Sequence, residues 1–145
     1  MTATADVTVR YVRTVMSSLG ASEETEIKKT LENARVHKAD FAVVASAEAT
    51  LWDTSVTPCP LGSFDFLELV SDIEVEVEFE TGATARTWTV TLAAGKPYHL
   101  WSDASREGTT GLGDAFGGTA SDIAKIKVLE SNAVAGELSL FMAKT

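Results

Sequence analysis

The side chains with chemistry to offer here are two histidines, one thiol, a run of glutamates and three tryptophans. A histidine becomes a general base when a nucleophile and an orienting carboxylate converge on it. Serines are plentiful, yet no Gly-x-Ser-x-Gly elbow is present. His99, between Tyr98 and Leu100, reads as a structural or edge residue of a strand. His37, close to Arg35 and Lys38, reads as solvated. Cys59 lies between Pro58 and Pro60, with no basic neighbour to activate a thiolate. As the single cysteine it rules out a disulfide scaffold. With two histidines 62 positions apart, it completes no zinc set either. Glu74, Glu76, Glu78 and Glu80 are regularly spaced on a face read as open to water. Glycosidase chemistry instead needs one carboxyl set apart from its partner by burial or a close neighbour. The stretch from Gly108 to Gly118 is glycine-rich but lacks the Gly-Lys-Ser/Thr ending of a phosphate loop. Asp103 and Asp114 there would offer calcium oxygen ligands, without EF-hand spacing. Trp88 alternates with core positions and is expected to be buried. Trp52 and Trp101, at strand ends, read as core caps, interface anchors or a sugar-stacking platform. No residue is assigned as catalytic, cofactor-binding or metal-ligating.

The elements that would position these groups are strands. Ile73 to Glu80 places Ile73, Val75, Val77 and Phe79 on one face and four glutamates on the other. Successive strand side chains point to opposite faces, so this is a strand with one wet side. Thr81-Gly82-Ala83 is a turn, and Arg86 to Leu92 alternates again, which predicts an antiparallel hairpin. Ala94 to Pro97 is a second turn, before a short Tyr98–Trp101 strand. Residues 102–119 form a long loop with five glycines. Ile123 to Leu129 and Glu137 to Ala143 are the last two strands, with Leu138, Leu140 and Met142 inward. In the first half, residues 6–16 alternate as a strand that Gly20 breaks. Residues 22–34 read as a short helix, with strand pairing as the alternative: Ser22 would cap the helix, and Ile27, Leu31 and Ala34 fall at i, i+4 and i+7. Asp40 to Trp52 is one long or two short strands. Phe64 to Val70, apolar on both faces, is a central strand covered on both sides.

Together these give an all-β fold, an antiparallel β-sandwich or barrel of about eight strands with one short helix near residues 22–34. A length of 145 residues suits one domain. The expected division is an N-terminal strand or arm over 1–20 and a single sandwich over 21–145. The chain is acidic, with a net charge of -9. Between Lys38 and Arg86 ten acidic residues meet no Lys or Arg. That balance argues against nucleic acid and suits either a solvated face or a basic partner. No apolar run reaches the roughly 18–20 residues of a membrane span, and residues 1–20 show no secretory pattern.

The order of phrases from Phe64 to Met142 resembles a known group. A Phe-Leu-Glu-Leu strand with Ser71-Asp72 precedes the alternating strand; Thr89 to Gly95, a Tyr-His-Leu-Trp strand, a glycine-rich loop and Ile123 to Asn132 follow. This is similar to small β-sandwich virion proteins of tailed bacteriophages, of the capsid decoration or cement type. The resemblance implies a non-enzymatic structural protein without cofactor, located in the virion after assembly in the host cytoplasm. The major capsid protein or other virion subunits would be its partners, and it would be a homo-oligomer. A tail or fibre-associated component, or a carbohydrate-binding module using Trp52 or Trp101, is the alternative.

Overall fold

The computed structural model describes residues 4–45, 47–82, 87–101, 123–129 and 134–145. The expected 102–119 loop, with Asp103 and Asp114, lies outside them. Among the described residues nine strands form two antiparallel sheets packed as a sandwich. They are β1 (Thr4–Met16), β2 (Ser22–Val43), β3 (Ala49–Asp53), β4 (Phe66–Ser71), β5 (Val75–Thr81), β6 (Thr87–Leu92), β7 (Tyr98–Trp101), β8 (Ile123–Val128) and β9 (Gly136–Lys144). One sheet has the order β1-β2-β9-β4-β7, the other β3-β8-β5-β6.

Alternation builds the core between them. Val77 and Phe79 are fully buried and Val75 nearly so, while Glu76 between them is exposed. Leu138, Leu140 and Met142 are likewise fully buried, as expected. Phe79 stacks on Trp88 of β6 at 4.6 Å and 8° between planes. The glutamate face is not bare. β8, remote in sequence, supplies Lys127 between Glu78 (3.1 Å) and Glu48 (3.6 Å), and Lys125 beside Asp53 (3.3 Å). At the start of β9, a Cβ on Gly136 would sit 2.5 Å from the Asp72 carboxylate. Asp72 Oδ1 accepts the Glu137 N–H at 2.7 Å, so only glycine lets β9 come that close.

The expected helix over 22–34 is absent, and among the described residues there is no helix. Those residues open β2, a 22-residue strand, which accounts for the ninth strand. Ile27 and Leu31 differ by four, an even number, so they share a face in a strand as well as in a helix. Leu31 and Ala34 differ by three and still face the same way, because a bulge intervenes. Ala5 opposes Ala34 and Val7 opposes Leu31, so β2 carries one extra residue there. Asn33 absorbs it with φ 51°, and its N–H is held at 2.9 Å by Asp6 Oδ1. An asparagine tolerates this left-handed conformation better than most residues.

The bulge bends the ribbon. β2 pairs with β9 over Arg35–Val43 and with β1 over Ser22–Arg35. Beyond the bulge, the β1–β2 hairpin curls back over the outer face of its own sheet. There Val7, Val9 and Leu31 pack on Phe66, Trp101, Ala143 and Ala34, a second small core. β4 is thus covered on both sides, as its apolar run requires.

Candidate assembly site: the projecting hairpin and the groove on the far side

The hairpin is fastened to the sheet by a polar clasp. Tyr11 of β1 reaches β7, the opposite edge strand of the same sheet. Trp101 Nε1–H donates to the Tyr11 hydroxyl oxygen at 2.8 Å, and that hydroxyl donates to His99 Nδ1 at 3.1 Å. His99 Nε2–H donates to Glu68 Oε2 at 2.6 Å. The Nε2–H tautomer satisfies every member of the chain. Phe66 packs against His99 at 5.3 Å and Trp101 at 4.5 Å. Lys29 Nζ lies 4.7 Å from the centre of the Trp101 ring, a cation–π contact. Glu68, His99 and Tyr11 superficially satisfy the carboxylate–imidazole–hydroxyl order of a catalytic triad. The hydroxyl, however, already accepts from Trp101 and binds the hairpin to β7.

Past the clasp the hairpin leaves the body. From Tyr11 to Met16 a strand advances about 17 Å at ~3.3 Å per residue. Of the eight exposed large apolar residues among the described ones, five lie from the clasp outward: Val12, Val15, Met16, Leu19 and Ile27, the last directly across from Tyr11. Met16 is 75% and Leu19 94% exposed. Val15 and Ile27 continue the face that packs as Val7, Val9 and Leu31 nearer the bulge. Leu19 stands at the apex of a tight turn. Ser17 N–H donates to Ala21 O (2.8 Å), Gly20 N–H to Ser17 O (3.0 Å) and Ala21 N–H to Ser17 Oγ (3.2 Å). Gly20 takes φ 83°, which a glycine adopts without strain.

On the other side of the sandwich lies a groove of about 330 Å³. It is lined by Leu51, Trp52 and Asp53 of β3, by Val56, Pro58, Cys59 and Pro60 of the segment that follows, and by His37 of β2. Trp52 is fixed by Nε1–H donation to Leu61 O at 2.9 Å, and the Cys59 thiol donates to the same oxygen at 3.0 Å. Hydrogen bonds from the Ser55 hydroxyl and N–H, with Lys125 alongside, hold the Asp53 carboxyl below its ordinary range. A bare Val56, 57% exposed, borders the opening.

The structure thus joins His99 to Glu68 and Tyr11, partners 31 and 88 positions away, which no local motif signals. It brings His37 and Cys59 to one groove. Trp52 and Trp101 are 4% and 5% exposed, so both are core caps and neither offers a free face for a sugar.

No family model and no curated protein matches the sequence. Among solved structures, one match is described by the words "Bacillus endospore appendages form a novel family of disulfide-linked pili". It is 14% identical, over 77% of this chain and 89% of that one, with a TM-score of 0.39. A likeness that distant carries no function across. It does correct the resemblance to phage decoration proteins: the matching structure belongs to a bacterial pilus and not to a virion. The capsid partner, the decoration role and the virion location fall with it. The phrases behind that resemblance, short strands in order with common turns, are shared by antiparallel sandwiches in general.

Proposed function

We propose that this chain is a non-enzymatic structural subunit that associates with copies of itself through the β1–β2 hairpin. The observation that carries the reading is the concentration of exposed apolar residues from the clasp outward. A soluble domain usually scatters such residues singly, and a cluster marks a contact surface. Among the described residues β1 is also a 13-residue edge strand, with no proline to block added pairing.

The energetics favour repeated weak contacts. The exposure of the five side chains amounts to a little over three fully exposed residues. Burying each is worth about 1.5–3 kcal/mol, so one hairpin supplies about 5–10 kcal/mol. Association itself costs about 4–15 kcal/mol. A single hairpin contact is therefore weak, and a stable assembly needs several. The appendages of the comparison are described as disulfide-linked. Cys59 is the single thiol of these 145 residues and would close a dimer at most. Any longer assembly of this chain is held by noncovalent contacts.

Sedimentation velocity over a wide concentration range tests the proposal. The weight-average mass is expected to climb above 15.4 kDa with concentration. A Met16→Asp, Leu19→Asp variant is expected to stay monomeric. A wild-type chain that remains monomeric at its highest soluble concentration overturns the reading.

A further inference from the structure

We infer that the tip of the hairpin, led by Leu19, docks into the Leu51–Trp52 groove of a second copy, and that the contact propagates head to tail. The inference rests on the hairpin being the associating element and names what it binds.

Placement supports this first. The hairpin leaves β2 near Arg35, crosses the outer face above β9 and β4, and emerges past β7 after the Tyr11 clasp. The groove lies at the other side, where β2 and the edge strand β3 face each other. Donor and receptor therefore point in opposite directions. A patch that fits a pocket elsewhere on the same molecule makes a heterologous contact, which leads to open chains unless the rotation happens to close.

Size agrees as well. A 150 Å³ apolar cavity accepts one benzene, so a groove of about 330 Å³ has room for two side chains of that size. Leu19 and Met16, the two most exposed apolar residues of the tip, are of that class. Val56, an exposed apolar residue of the receiving wall, would be covered by the same event. Both surfaces are also preorganised. The hydrogen-bonded turn already holds Leu19 outward, and Trp52 is pinned by its bond to Leu61 O. Little ordering entropy remains to be lost on contact.

Cys59 in the groove wall is a built-in reporter. Its reaction with a small maleimide is expected to slow at least tenfold from dilute to concentrated protein, and Leu19→Asp to abolish that protection. A Leu19→Cys variant, mildly oxidised, is expected to give a ladder of multiples on a non-reducing gel. Adding Cys59→Ser should collapse the ladder to a dimer at most. Self-association with Cys59 equally reactive throughout, and no ladder, overturns this docking while leaving the proposed function standing. A ladder that stops at the dimer with both thiols present overturns the open chain. Absence of any self-association overturns both.

Discussion

Tyr11→Phe isolates the clasp from the packing around it. Phenylalanine keeps the ring that meets His99 edge-on at 5.5 Å and leaves the Phe66 contacts to His99 and Trp101 in place. Only the hydroxyl is lost, and with it the bonds to Trp101 Nε1 and His99 Nδ1. Each such bond is worth about 0.5–1.5 kcal/mol net, so the hairpin loses about 1–3 kcal/mol of attachment. The hairpin root is held otherwise by the modest Val7, Val9 and Leu31 contacts, and a two-stranded ribbon is marginal alone. Local opening should therefore rise between about fivefold and 150-fold. Limited trypsin cleavage after Lys29, whose side chain lies over Trp101, reads that opening directly. Thr8→Val is the control, since the Thr8–Thr30 hydroxyl contact is exposed and lies on the hairpin's other face. Cleavage of Tyr11→Phe within twofold of wild type would refute the clasp.

The paired faces of β5 give a sharp contrast between adjacent residues. Val77→Asp, placing an unpaired charge in the closed core, should unfold the domain, whereas Glu76→Lys should leave the urea midpoint nearly unchanged; equal effects would mean the face assignment is wrong. Asp65 carries an acid-sensitive share of stability. Burial pushes its carboxyl up, but hydrogen bonds from Lys144 Nζ (2.8 Å) and from the Thr145 N–H (2.8 Å) and hydroxyl (2.7 Å) outweigh this and hold it below its usual range. A lowered folded-state pKa contributes stability that is full above the unfolded value, about pH 4, and is lost as pH falls through the lower folded value. The stability gap between wild type and Asp65→Asn, measured by urea unfolding, should accordingly shrink below about pH 4; a gap constant from pH 7 to pH 3 would count against it.

The parts of the fold that could be read from residues alone are those where one face is dry and the other wet. Ile73 to Glu80 and Leu138 to Met142 are of that kind, and their alternation translates into burial almost residue by residue. The hairpin could not be read this way. Val7, Val9 and Tyr11 alternate as clearly, but their burial depends on Phe66 and Trp101, which arrive from far along the chain. The 22–34 segment misled for a different reason. An even spacing is common to helix and strand, and the one odd step, Leu31 to Ala34, is concealed by a bulge whose sole local mark is Asn33. The clasp leaves no local mark because its donors and acceptors are spread over β1, β4 and β7. The projecting tip is the instructive case. Val15 continues the alternation of Val7, Val9 and Tyr11, and Ile27 shares the face of Leu31, yet hydrophobicity does not say whether a partner strand or water lies opposite. Leu19 is different. The apex of a tight turn is the place for glycine, asparagine, aspartate or serine, and Ser17, Ser18 and Gly20 conform. A leucine there has no local reason to exist and no core to enter. Such a departure from turn chemistry is written in the residue types themselves, and what it points to is a contact outside the chain that carries it.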